Sequence, residues 1–294
     1  MALWKPDMRE AEATPERLWL LRRDFLKLGA GALTFSLAAE AAWAQTSKIE
    51  VLWLGQAATR ITTVSGKVIV IDPFLTQNPK TPAQYKNLDA LGKVDLILVT
   101  HAHGDHLGDA PELAKKHKVQ LWAPAGLDQS LVSLGVLPVE LAPRMNKGGT
   151  ITPLGPDIKI TMTRAEHSSE LLWTNPATGK PETHVGGEPC GFIIEFENGF
   201  KLYHLGDTGV FADMKWIGEY YKPDLIMIPI GGHFVMSPKD AAVATEMIKP
   251  KFAIPIHYGT FPVLKGTPQE YMQALGNTSV KVFPINPGDP LTFP

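Results

Sequence analysis

Residues 100–109 read THAHGDHLGD, three histidines and two aspartates within ten positions of an otherwise ordinary composition. The run starts where VDLILVT (94–100) stops, and that stretch is apolar enough to be a buried β-strand. A side chain at the end of a buried strand is fixed far better than one in a free loop, which suits chemistry that needs donors placed to fractions of an ångström. His101 and His103, two apart on extended chain, project to one side. Gly104 gives the backbone freedom to turn, so that Asp105 and His106 face a second point. One short turn can therefore serve two metal ions.

The same arrangement recurs along the chain. DIKITMT (157–163) runs on through three residues to His167, which Ser168 and Ser169 follow. FKLYHLG (200–206) delivers Asp207, and KFAIPIH (251–257) ends in His257. Neutral imidazole and carboxylate are donors that suit Zn, Mn or Fe, and together these residues point to a binuclear centre. Cys190 is the single cysteine, which excludes an internal disulfide and a cysteine-based zinc site; within CGFIIEF it reads as a small buried residue.

Around these residues the 294-residue chain is 44% hydrophobic and 20% charged, the composition of a globular protein. Its net charge of -2 gives no basic excess of the kind that draws a protein onto nucleic acid. Further strands are expected over residues 49–55, 67–74, 119–124, 191–197 and 224–230. Ser237 with Pro238, and Thr267 with Pro268 and Glu270, are helix start signals. The pattern is that of a mixed α/β chain whose sheets are covered by helices, with residues 45–294 forming one domain. Residues 74–92 and 170–188, rich in Pro, Asn, Thr and Gly, read as loops that shape a pocket.

Residues 1–44 resemble a twin-arginine export signal: Arg22 and Arg23, then Phe25, Leu26 and Lys27, a modest apolar stretch, and Ala42 and Ala44 framing a cleavage point. That stretch is interrupted by Glu40 and falls short of the roughly 20 apolar residues of a stable membrane span. The resemblance implies recognition by the twin-arginine export machinery, removal of the signal, and a periplasmic location.

The motif His-x-His-x-Asp-His at 101–106, with later His167, Asp207 and His257, resembles the metallo-β-lactamase fold superfamily. The segments WLG (53–55), IDPF (71–74), EHSS (166–169), GGEPCGF (186–192), YHLGDTG (203–209), PIGGHF (229–234) and PIHYGTFP (255–262) look like its branch of metal-dependent hydrolases similar to ascorbate-phosphate lactonases and N-acyl-phosphatidylethanolamine phospholipases. The resemblance implies a four-layer αββα sandwich with the site at one edge. It implies one ion held by His101, His103 and His167, another by Asp105, His106 and His257, and Asp207 between them. Relatives often read WLGHS after the first strand; here Gln56 follows Gly55, at a position outside the expected ligands.

Two divalent ions, most simply Zn, can share a water and lower its pKa toward neutrality, so the expected activity is hydrolysis by a metal-bridging hydroxide. The substrate expected is a small or lipid-like ester, lactone or phosphodiester. Asp105, besides its place as a ligand, and His233, which follows the apolar stretch DLIMIPI, are the candidate catalytic side chains. His204 reads as a packing or supporting residue. A metal-binding protein of the same fold without turnover and a di-iron redox enzyme are the competing readings; the latter commonly has a carboxylate where this chain has His103.

Overall fold

The computed structural model describes residues 48–294. Residues 1–47, which hold the expected export signal, lie outside the described residues. No helix among the described residues is long and apolar enough to cross a membrane.

The first half of the chain supplies strands β1 (Ile49–Trp53), β2 (Thr59–Thr62), β3 (Val68–Ile71), β4 (Leu96–Leu98), β5 (Leu121–Pro124) and β6 (Arg144–Met145). β7 (Thr150–Ile151) and β8 (Lys159–Arg164) follow, then a separate hairpin, β9 (Glu170–Thr174) with β10 (Pro181–Val185). β11 (Cys190–Glu195), β12 (Lys201–His204), β13 (Leu225–Pro229), β14 (Phe252–Ile256) and β15 (Lys281–Val282) complete the second half, and β16 (Pro290–Phe293) returns to pair with β1. Two seven-stranded sheets result, ordered β16-β1-β2-β3-β4-β5-β6 and β15-β14-β13-β12-β11-β8-β7.

The short strands are apolar on both faces because each sheet is covered on both. Ile69, Ile71 and Leu98 of the first sheet meet Phe192, Ile194, Leu202, Met227 and Ile254 of the second in a shared core. The alternate residues Val70 and Ile97 turn outward, onto Leu113 of helix α2 and Leu127 and Leu131 of helix α3. These helices span Ala110–His117 and Ala125–Ser133, and follow a single helical turn, α1 (Gly104–Leu107). On the far side Ile193, Tyr203, Ile226 and Ile228 pack on Met214 and Ile217 of α4 (Asp213–Tyr221), Ala241 and Ala244 of α5 (Pro238–Ile248) and Tyr271 of α6 (Pro268–Leu275). Strands buried on both faces read as near-continuous apolar runs, as VIVI and LIL do here. The outcome is the expected four-layer αββα sandwich. Both helix starts read from the sequence are realised as capping boxes, Ser237 with Asp240 and Thr267 with Glu270.

Two expectations change. The stretch 170–188 is not a plain loop: β9 and β10 pair in register from Glu170–Val185 to Thr174–Pro181. One face of this hairpin packs through Leu171 and Trp173, but the other is open, leaving Leu172 74% exposed and Val185 68% exposed, so it lacks the apolar run that marks the other strands. Gly104, in turn, is not the freedom-giving residue. It starts α1 with no positive φ, and a Cβ there would meet nothing within 4 Å. The glycine that the turn requires is Gly108, at φ +35, where a Cβ would lie 2.7 Å from the Pro73 carbonyl oxygen.

Candidate metal centre

The pairings orient β1, β3, β4, β8, β12 and β14 so that their C-terminal ends reach the same edge of the sandwich. Gln56, Asp72, His101, His167, Asp207 and His257 follow those six ends in that order. Ligand sites of α/β sheets gather at strand C-termini because there the chain turns away and leaves a crevice.

Short links hold the loops together. The Ser169 hydroxyl accepts from the Ala102 amide and donates to the Gly186 carbonyl, tying the His167 loop to the His101–His103 segment. Gly186 permits the approach, since a Cβ there would lie 1.7 Å from the Ser169 carbonyl oxygen. The Glu166 amide donates to the Thr208 hydroxyl, which ties the same loop to Asp207. Asp109, the second aspartate of the opening stretch, accepts from the amides of Leu75 and Thr76 and anchors the chain after Asp72.

All seven expected ligands converge. Donor atoms of His101, His103 and His167 lie within 4.8 Å of one another, as do those of Asp105, His106 and His257, and a third such group joins His101, His106 and Asp207. His101 Nε2 stands 3.0 Å from His103 Nδ1. Asp207 reaches both sides: its Oδ2 is 3.7 Å from His167 Nε2 and 3.0 Å from His257 Nε2, while Oδ1 is 3.2 Å from His106 Nε2. His106 Nε2 and Asp207 Oδ1 are buried and have no hydrogen-bond partner. Buried groups of this kind are ordinarily satisfied, and a divalent cation would satisfy both, so the donor set fits the implied metal.

Asp72 is the residue that sequence reasoning missed. Fully buried, at φ +47, it accepts from the Thr100 amide and hydroxyl, each at 2.7 Å, and from His106 Nδ1 at 2.8 Å. Donation from Nδ1 places the His106 lone pair on Nε2, toward the cluster. The Thr100 hydroxyl, having given its proton to Asp72, accepts from His101 Nδ1 at 3.1 Å and orients that ring in the same way. The signal was present in IDPF, an acidic residue directly after an apolar strand, as in the stretch that delivers Asp207.

Burial opposes charge on every one of these groups, and the carboxylates overcome it locally. Asp207, Asp72 and Asp105 hold His106 well above the ordinary histidine range, and Asp207 and Asp105 raise His257 to about 9. Asp207 is held far below the usual carboxylate range by His106 and His257, and Asp105 is lowered chiefly by His106. His101 moves the other way, pressed well below its usual range by burial and then by His106. Burial likewise lowers His167 and His204. The site thus balances its carboxylates with protons on His106 and His257, which a bound cation would displace.

The cluster floors a cavity of about 660 Å³. Phe74, Phe234, Phe261 and Leu264 form its apolar side, Gln56, Gln77 and Ser168 contribute polar groups, and no lysine or arginine of the described residues lines it. His233 is not brought to the cluster. It is exposed, at φ +60, and lines a neighbouring surface hollow with Gly232, Ser237 and Lys265. Its neighbour Phe234 lines the cavity instead, its ring packed edge-to-face on the His233 imidazole with centroids 4.3 Å apart. A His233→Gln protein is accordingly expected to retain wild-type metal content and turnover within about twofold, measured side by side. His204 is a packing residue: Nε2 bonds the Ala57 carbonyl and Nδ1 accepts the Gly206 amide.

A model of the β-lactamase superfamily domain matches residues 67–258. The chain belongs to the metallo-β-lactamase superfamily. A UPF0173 metal-dependent hydrolase of Polaromonas sp. is 61% identical over 255 residues, covering 86% of this chain and 93% of its own. One from Cupriavidus metallidurans is 61% identical over 249 residues, covering 84% and 86%. Among solved structures, Igni18, a metallo hydrolase from Ignicoccus hospitalis, superposes with a TM-score of 0.70 at 32% identity, covering 84% of this chain and 99% of that one. The superfamily's fold accounts for the two sheets, and the seven ligands implied by the resemblance are the seven that the edge collects.

Proposed function

We propose that the protein is a binuclear metal-dependent hydrolase that cleaves an ester or lactone bearing an apolar substituent. The observation that carries this reading is the pair of donor groups, His101–His103–His167 and Asp105–His106–His257, joined through Asp207 on the floor of one cavity. Divalent ions held there supply Lewis acidity and a water of lowered pKa. Each side chain has a part in this. His101 and His106 present Nε2 because Thr100 and Asp72 accept hydrogen bonds from their Nδ1–H groups. Asp207, charged at any ordinary pH, joins the two donor groups, and Asp105 adds a second carboxylate to one of them. Its place in that donor group and in the cavity lining supports a catalytic part for Asp105 as a ligand.

The rest of the cavity favours a carbonyl over a phosphodiester substrate. Phe74, Phe234 and Phe261 offer an aromatic wall to an acyl chain or ring, and the wall carries no cationic side chain for a phosphate's spare oxygens. Names of the relatives, metal-dependent hydrolase and metallo hydrolase, support the reaction class. The paired Arg22–Arg23 segment supports export of the folded chain to the periplasm.

The test is a matched panel on zinc-, manganese- and iron-loaded protein: p-nitrophenyl esters of increasing acyl length, a set of lactones, and bis(p-nitrophenyl) phosphate. Turnover of esters or lactones, with KM falling as the apolar group lengthens, is the expected result. Preference for the phosphodiester would overturn the substrate class, and metal-loaded protein inert toward every member would overturn hydrolysis itself.

A further inference from the structure

Gln56 follows β1, whose C-terminal loop, like that of β3, holds no expected ligand, yet its side chain is in the cluster. It is fully buried and sits at φ +51, a left-handed conformation that non-glycine residues adopt at a cost. Two donors fix it there: the Trp53 indole N–H at 2.9 Å and the His257 amide at 2.8 Å both bond its carbonyl oxygen. The carboxamide so placed has Nε2 2.8 Å from Asp105 Oδ2 and 2.7 Å from His257 Nε2. Swapping the amide would set Oε1 against Asp105 Oδ2, acceptor on acceptor, so Asp105 dictates the orientation. Oε1 is buried without a partner, a cost that an apolar side chain would avoid.

We propose that Gln56 is a positioning residue for the ion held by Asp105, His106 and His257, acting through its N–H bond to the Asp105 carboxylate. Asp105 lies on the single turn α1 and has only this neutral donor to set its rotation. The Oδ2 atom accepts the N–H on one lone pair and keeps another for a cation. Gln56 Nε2 also stands 2.7 Å from His257 Nε2, a second member of the same donor group. Gln56 touches Asp105 and His257 of this donor group and no member of the His101–His103–His167 group. Its influence is therefore selective between the two ions. The inference rests on the two-ion reading proposed above.

The experiment titrates Zn(II), and separately Co(II), into chelator-stripped protein, reading dissociation constants by calorimetry and ligand field by Co(II) d–d absorption. His167→Ala and His257→Ala proteins assign the two events. Gln56→Leu is expected to weaken the His257-dependent ion about 10- to 100-fold and leave the His167-dependent ion unchanged. In an Asp105→Asn background the same substitution should add less than about twofold, because both changes break one interaction. Should Gln56→Leu fail to fold, Gln56→Asn, which keeps the carboxamide but withdraws it by one methylene, is expected to give the same selective loss. Unchanged affinities, equal weakening of both ions, or full additivity with Asp105→Asn would each overturn the role of Gln56. Wild-type protein that takes up a single ion would overturn the two-ion reading and the inference with it.

Discussion

Asp207→Asn is expected to lower turnover by more than about 10³-fold and to reduce the metal bound, to be read by steady-state kinetics and elemental analysis of the same sample. The substitution keeps shape and removes charge. Asp207 is nearly fully buried and its two oxygens face His167, His257 and His106 at 3.7, 3.0 and 3.2 Å. An uncharged amide offers one acceptor where the carboxylate offered two, and its N–H₂ would point at an imidazole lone pair. The metal-free protein gives an independent readout. His257 is raised to about 9 with Asp207 the largest favourable cause, so losing that charge lowers the pH at which His257 gives up its proton. An imidazole titration followed by NMR that stayed near 9 in Asp207→Asn would show that this carboxylate does not organise the cluster.

The second large effect is expected at a residue that touches no ion. Asp72→Asn should leave the fold intact, since Asn tolerates a left-handed φ and its carbonyl oxygen can still accept the Thr100 amide. It places an N–H₂ donor against His106 Nδ1, where the carboxylate had accepted. Imidazole then takes the opposite tautomer, with its proton on Nε2, the atom that faces Asp207. Metal affinity is expected to fall about 10- to 100-fold, and turnover with it, at nearly constant secondary structure by circular dichroism. Asp72→Ala is the harsher case. It leaves the Thr100 amide, the Thr100 hydroxyl and the His106 N–H without partners in a buried site, for a loss of about 3 kcal/mol or more in unfolding free energy. Full metal affinity in Asp72→Asn would mean that the tautomer of His106 is set elsewhere.

Much of this centre was legible before any coordinates. The seven candidate ligands come from four apolar runs that each lead into a His or Asp, and the runs are apolar because both faces of each sheet are covered. What escaped had a physical reason in each case. Asp72 shows the same pattern, but a carboxylate that accepts three protein donors is not distinguishable by type from one that binds an ion. Gln56 carries no charge, and its importance comes from a left-handed backbone held by Trp53 and by His257, two hundred and one positions away. His233 follows an apolar strand as the ligands do, yet it stands exposed in a neighbouring hollow while Phe234, packed edge-to-face on it, lines the cavity. The hairpin β9–β10 was read as loop because its one packed face contributes only Leu171 and Trp173 as apolar residues, too few to mark a period.

The sequence by itself determined most of the apolar strands, the caps of α5 and α6, the seven donors and the strand ends that deliver them, though not the β9–β10 hairpin. These depend on local chemistry: side-chain polarity sets burial, and strand ends fix the residues that follow. Tertiary structure alone decided which donors come within reach of one another, which groups each imidazole nitrogen faces and what lines the cavity. Those outcomes depend on hydrogen bonds and contacts between segments far apart in the chain, such as Thr100 to Asp72, Asp72 to His106 and Gln56 to Asp105. Their energies exist only once the two sheets have packed and water has left the edge.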